Sequence, residues 1–97
     1  MKILALEHEL PGATAGQFQE YANAEARSVW ELHQAGIIRE LYFRRDQNRA
    51  ILVLEAASAQ EAGEDLAALP YLQAGLITFE IIPLKAYPGF ARLFGKT

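Results

Sequence analysis

The sequence predicts one α+β domain with the element order βαββαβ. Three observations predict it: two helical stretches each follow a strand-like stretch, a polar turn separates the two central strands, and a capping box opens the second helix. The chain has 97 residues, which is enough for one hydrophobic core and too few for two. We therefore treat residues 1–97 as a single domain.

The first half of the chain contains a strand and a long helix. Residues 3–8 are strand-like and are followed by the turn residues 11–14. A helical pattern then runs from about Ala15 to Ala35 and stops at Gly36. Glycine is common directly after a helix because it adopts the left-handed conformation without strain.

The second half contains a hairpin, a helix and a final strand. Residues 37–45 and 49–56 read as strands around a turn at 46–48. A capping box at 58–61 opens a helix that ends near Leu69-Pro70, and residues 76–84 form the last strand. This order is the ferredoxin-like arrangement, in which two helices cover one face of a four-stranded antiparallel sheet.

Both faces of the predicted sheet are apolar, although the helices cover only one. Residues 50–54 are all apolar, so the side chains on both faces of this strand are apolar. A strand with one solvent-exposed face instead alternates apolar and polar residues. Four large apolar residues follow the last strand: Tyr87, Phe90, Leu93 and Phe94. We expect a homodimer or a larger homo-oligomer, with the C-terminal tail 85–97 at the subunit interface. The alternative is a tail that folds back on its own domain.

The composition argues against several classes of protein. Nine basic and twelve acidic residues give a net charge of −3, which is unfavourable for a nucleic-acid binder. No apolar run approaches the roughly 20 residues of a membrane span, and the N-terminus lacks a signal-peptide pattern. We expect a cytoplasmic protein without membrane or nucleic-acid partners. No metal-ligand spacing, phosphate loop or dinucleotide motif is present, so we expect neither a metal nor a cofactor.

Glu25 breaks the apolar pattern of the first helix. At about 100° per residue, it lies near the middle of the arc that contains Phe18, Val29 and Leu32. A carboxylate turned towards a core is costly unless it is paired, hydrogen-bonded or protonated. Glu25 is therefore either half of a structural ion pair or a proton-transfer group in a pocket between helix and sheet.

Arg39, on the second strand, is the candidate partner of Glu25. It shares its parity with the apolar residues Ile37, Leu41 and Phe43. A bidentate contact with Glu25, or with a substrate carboxylate, would satisfy its guanidinium. The alternative is that Arg39 faces the other subunit.

Six further residues are candidate pocket residues. We expect Phe18, Tyr21 and Val29 to form a wall that excludes water around Glu25. His8 and His33 are candidate general bases, although lone histidines at such places are more often structural. Tyr42 is a candidate lining residue, although aromatic residues in such strands usually only pack.

The sequence resembles the muconolactone delta-isomerase family. The residues that carry the resemblance are 24–27, Leu32, Gly36, 39–42, 57–61 and 69–71, and it extends from Leu10 to about Pro83. The resemblance implies a dimeric α/β barrel, in which the sheets of two subunits pack together. It also implies a cofactor-free proton shift in a small unsaturated lactone, with Glu25 matching the glutamate of the first helix and Arg39 the arginine after the glycine turn.

Three functional hypotheses follow. The leading one is an isomerase-like enzyme in which Glu25 moves a proton next to a carbonyl and Arg39 binds a carboxylate or stabilises the enolate. The second is a non-catalytic homo-oligomeric module that binds a small molecule in the same pocket. The third is an assembly domain in which Glu25 and Arg39 form a buried ion pair.

Overall fold

The structure, a computed structural model, describes residues 1–95 and has the predicted element order. The last two residues of the predicted tail, 96 and 97, lie outside the described part of the chain. The strands are β1 (Lys2–Glu9), β2 (Ile38–Phe43), β3 (Ala50–Glu55) and β4 (Ile77–Pro83). The helices are α1 (Ala15–Gln34), α2 (Ala59–Leu66) and α3 (Pro70–Gln73), and a 3₁₀ helix follows at Gly89–Phe94. Short α3 and the 3₁₀ helix were not predicted.

The four strands form one antiparallel sheet in the order β2-β3-β1-β4. The helices pack on one of its faces, which confirms the ferredoxin-like α+β fold. The buried core lies between this face and the helices and is built from Ile3, Ala5, Ile38, Leu52, Leu54, Ala62, Leu66 and Leu69. Because side chains alternate along a strand, the other parity of each strand points to the opposite, uncovered face.

Helix α1 has a defined start and a defined end. The Thr14 hydroxyl accepts a hydrogen bond from the backbone N–H of Gln17, whose side chain in turn accepts one from the Thr14 N–H. This capping box satisfies N–H groups that the first helical turn leaves unpaired. Gly36, at the other end, has φ +80°, as its position after the helix predicted.

A β-bulge in β2 changes the predicted position of Arg39. Ile38 pairs with Leu54, but the next pair is Glu40 with Val53, so Arg39 is the extra residue. The bulge puts Ile38 on the covered face together with Leu41. The prediction that Arg39 shares a face with Leu41 is therefore wrong. Arg39 is exposed, and its Nε donates a hydrogen bond to the carbonyl oxygen of Gly36.

The uncovered face of the sheet carries an apolar patch. Leu4 lies at its centre, between Val53 of β3 and Ile82 of β4. Leu6 and Ile51 extend the patch, and all five side chains are half-buried. Beyond β4, Tyr87, Phe90, Leu93 and Phe94 are exposed. None of the helices in residues 1–95 is long and apolar enough to cross a membrane.

Candidate functional site

A cavity of about 380 Å³ lies between α1, the covered face of the sheet and the segment around Leu69 and Tyr71. Its lining is mostly apolar: Ala22, Ala26, Val29, Leu41, Phe43, Ala50, Leu52, Leu69 and Phe79. Two tyrosines, Tyr42 and Tyr71, and two carboxylates, Glu7 and Glu25, complete it. An apolar cavity with a few polar groups is the usual form of a small-molecule site.

A backbone hydrogen bond holds the side chain of Glu25 in this cavity. Its Oε1 accepts the N–H of Tyr71 at 2.9 Å, which fixes the carboxylate at the start of α3. Among the described residues, no basic side chain forms an ion pair with Glu25, and its Oε2 is neither hydrogen-bonded nor buried. The second oxygen therefore has no partner among the described residues that a ligand would have to displace.

The surroundings of Glu25 favour its protonated form. Burial raises the pKa of its carboxyl, the hydrogen bond from Tyr71 lowers it, and the nearby charge of Glu7 raises it again, with a net upward shift. A carboxylate of raised pKa is a stronger base, better matched to proton transfer near neutral pH.

Glu7 places a second carboxylate in the same cavity. It lies on β1 opposite Phe79 of β4, and its Oε1 accepts the N–H of Ala50 at 3.0 Å. Burial and the charge of Glu9 raise the pKa of Glu7, whereas the Ala50 hydrogen bond and Arg49 lower it, and the net shift is upward. Two carboxyl groups from opposite walls thus have raised pKa values in one apolar space.

Tyr71 connects α3 to α1 at two points. Its N–H binds Glu25, and its hydroxyl donates to the carbonyl oxygen of Phe18 at 3.1 Å. The rings of Phe18 and Tyr71 pack edge to face, with centroids 5.1 Å apart. Burial and the charges of Glu25 and Glu7 raise the pKa of Tyr71, so its hydroxyl stays protonated as a donor. These contacts fix the orientation of Glu25 relative to the sheet.

A second cavity, of about 470 Å³, adjoins the first and shares Glu7, Phe43 and Tyr71 with it. Phe18 lines this second space. So does Arg49, whose Nη1 lies 3.4 Å from Oε1 of Glu9. This long contact leaves a half-buried guanidinium near Glu7, whereas Arg44 forms a bidentate pair with Asp46 in the hairpin loop.

The predicted pocket residues divide into two groups. Val29 and Tyr42 line the first cavity with Glu25, and Phe18 lines the second. Tyr21, His8, His33 and Arg39 line neither cavity. His8 lies 3.5 Å from Glu80, its neighbour diagonally across the β1–β4 pairing, and Nδ1 of His33 lies 2.9 Å from the carbonyl oxygen of Ile38. The predicted contact between Glu25 and Arg39 is not formed within the subunit, because the bulge at Arg39 turns it outward.

Sequence reasoning missed three residues of this region: Glu7, Tyr71 and Arg49. A signal for Glu7 existed, because it shares its parity with Ile3 and Ala5, the buried residues of β1. No local pattern indicates Tyr71 or Arg49, because both reach the site through contacts between residues far apart in the sequence.

The raised pKa values predict a pH-dependent stability. A carboxyl whose folded pKa exceeds its unfolded value near 4.5 stabilises the fold fully below that pH, and the contribution is lost as pH rises through the folded pKa. Thermal unfolding from about pH 4.5 to about pH 8 should therefore show Glu25→Gln gaining stability relative to wild type as pH rises. A difference in melting temperature between Glu25→Gln and wild type that stays constant over this pH range would contradict the raised pKa of Glu25.

Comparison with known proteins gives a family and a fold. A family model described as muconolactone delta-isomerase matches residues 5–89. No curated protein matches the chain. Among solved structures, it is similar to the 5-chloro-2-hydroxyhydroquinone dehydrochlorinase from Burkholderia phenoliruptrix AC1100 in complex with 2,5-dihydroxybenzoquinone. That similarity has a TM-score of 0.71 and 18% identity and covers 92% of this chain and 98% of that one, which shows a shared fold.

Proposed function

Because the chain belongs to the muconolactone delta-isomerase family, which is of the dimeric α/β-barrel type, we propose that it is a small cofactor-independent enzyme. The proposed reaction is a proton shift within a small organic acid or lactone. The observation that carries the proposal is Glu25: a half-buried carboxylate that has no cationic partner among residues 1–95 and that lines an apolar cavity.

In the proposed reaction, the Glu25 carboxylate removes a proton from a carbon next to a carbonyl group. The electron pair of that C–H bond passes into an enolate, and Glu25 returns the proton to a second carbon of the conjugated system. The apolar lining limits the contact of bulk water with the reacting carbons. Arg39 stays a predicted carboxylate anchor. Because Arg39 lies outside the cavity of its own subunit, the proposed proton shift assigns it no step and depends on Glu25.

The cavity favours a small ring compound as substrate. Its volume of about 380 Å³ suits such a molecule, and its lining consists mainly of aliphatic and aromatic side chains. The similar dehydrochlorinase binds 2,5-dihydroxybenzoquinone, a small oxygenated ring, which supports the same size class. The apolar lining would equally suit the alternative function, a non-catalytic small-ligand-binding module.

We also propose a homodimer or a higher homo-oligomer, in which the uncovered sheet faces pack together. The support is the apolar patch around Leu4 and the exposed aromatic and aliphatic residues of the tail. The position of the tail 85–97 at this interface stays a prediction, as does the cytoplasmic location.

Proton NMR in D₂O tests the proposed reaction with two lactones. One is muconolactone, which carries a carboxylate, and the other is α-angelica lactone, an uncharged unsaturated lactone. We expect the protein to accelerate migration of the ring double bond and deuterium exchange in at least one of them. Saturable binding with neither process would instead support the ligand-binding module, and neither binding nor conversion would contradict both functions.

A further inference from the structure

In the part of the chain that the structure describes, the first cavity has no cation that could stabilise an enolate. Among the described residues that line it, none is lysine, arginine or histidine. Arg39 is exposed outside the cavity, and Arg49 lines only the adjoining space, near Glu7 and Glu9. Negative charge that develops on a substrate oxygen in this cavity therefore needs a neutral hydrogen-bond donor.

The two hydroxyl groups of the lining already donate to protein atoms. The Tyr71 hydroxyl donates to the carbonyl oxygen of Phe18 at 3.1 Å, and the Tyr42 hydroxyl donates to Oε1 of Glu40 at 2.8 Å. The remaining polar side chains of the lining are Glu7 and Glu25. If Glu25 acts as the base, Glu7 is the side chain left to supply a proton donor.

The geometry of Glu7 suits a donor. The Ala50 N–H occupies Oε1, and Oε2 has no hydrogen-bond partner among the described residues and is not buried. Burial raises the pKa of Glu7 and so favours its protonated form, although the hydrogen bond from Ala50 and the charge of Arg49 lower it, and the charge of Glu7 raises the pKa of Glu25. Two interacting carboxyl groups in an apolar space favour the state in which one keeps its proton.

We propose that Glu7, in its protonated form, donates a hydrogen bond from Oε2 to the carbonyl oxygen of the substrate. This inference rests on the proposed function and assigns the second group of that reaction. The Glu25 carboxylate takes the carbon-bound proton, the electron pair moves to the carbonyl oxygen, and the Glu7 hydrogen bond stabilises that oxygen. Glu25 then returns the proton to the second carbon. Glu7 keeps its own proton throughout, so both side chains end the cycle as they began.

The proposal predicts different rates for two substitutions of Glu7. Glutamine keeps an N–H donor of similar size but cannot transfer a proton or titrate, whereas alanine removes the donor. With α-angelica lactone as substrate, we expect Glu7→Gln to stay within about tenfold of wild type and Glu7→Ala to lose about 10² to 10³-fold. Glu20→Gln, an exposed change on α1, is the matched control and should not alter the rate.

The pH profile gives an independent readout. Glu7 is surrounded by Glu9 of its own strand, Arg49 of the hairpin, Glu25 of α1 and Tyr71 of α3. The wild-type rate should fall at high pH as Glu7 ionises, and Glu7→Gln should lack this fall. A Glu7→Gln variant as inactive as Glu7→Ala would overturn the inference, and so would a Glu7→Ala variant as active as wild type.

A binding measurement separates failure of this inference from failure of the proposed reaction. The probe is γ-valerolactone, a saturated lactone that keeps the carbonyl group but has no double bond to move. If no lactone is converted, the inference still expects wild type and Glu7→Gln to bind γ-valerolactone at least tenfold more tightly than Glu7→Ala in an NMR titration. Equal binding by all three proteins would overturn it.

Discussion

Replacing Glu25 by glutamine should abolish the proton shift and leave the fold intact. The glutamine side chain has nearly the same shape, and its carbonyl oxygen can still accept the Tyr71 N–H. An amide does not accept a proton from carbon, so we expect the rate to fall by a factor on the order of 10² to 10⁴. Deuterium exchange into the converted lactone, followed by NMR, measures the loss, with Glu20→Gln as the control.

The stability of the same variant tests the structural alternative. If Glu25 and Arg39 formed a buried ion pair, removing one charge would destabilise the fold by roughly 3 kcal/mol or more. The structure contains no such pair within the subunit, and burial raises the pKa of Glu25. We therefore expect Glu25→Gln to be at least as stable as wild type at neutral pH. A strongly destabilised variant would support the structural alternative, and a variant that retains full activity would remove Glu25 from the mechanism.

Replacing Leu4 by aspartate should dissociate the proposed dimer. Leu4 lies at the centre of the apolar patch, between Val53 and Ile82. Two subunits packed through this patch would bury two unpaired carboxylates, each at a cost of several kcal/mol. We expect wild type to sediment as at least two chains of 10.8 kDa at micromolar concentration, and Leu4→Asp to sediment as one.

Two measurements make the dimer test decisive. Asn23→Asp adds the same charge on the exposed surface of α1 and should remain dimeric. If Leu4→Asp fails to fold, the concentration dependence of wild-type unfolding replaces it, because a dimer melts at higher temperature when it is more concentrated. A wild-type monomer at micromolar concentration, or a melting temperature independent of concentration, would contradict the homodimer.

Most of the fold could be predicted from local patterns. The strand and helix order, the end of α1 at Gly36 and the start of α2 at Ser58 were predicted, because each depends on a few neighbouring residues. Of the predicted capping box at 58–61, the Ser58 hydroxyl does accept the N–H of Glu61, but the Glu61 side chain accepts the N–H of Ala57 and not that of Ser58. The inward position of Glu25 was also predicted, because helical periodicity fixes which residues of α1 share a face. Short α3 was missed, since it follows directly after Leu69 and has no side-chain cap.

The site could be predicted only in part. The face of Arg39 was left open between the Glu25 side and the other subunit, and strand parity could not settle it, because one extra residue at a bulge shifts that parity. Tyr71 was missed as the partner of Glu25 because the two residues are 46 positions apart, and their hydrogen bond exists only once α3 packs on α1.

Periodicity along this polypeptide determined its architecture and the one glutamate of α1 that turns inward. Only tertiary packing decided which groups surround Glu25. They are the backbone N–H of Tyr71, in place of the guanidinium of Arg39, and the carboxyl group of Glu7 in the same cavity. The physical reason is that side-chain direction follows from local backbone geometry, whereas charge pairing and desolvation depend on which distant segments are brought together.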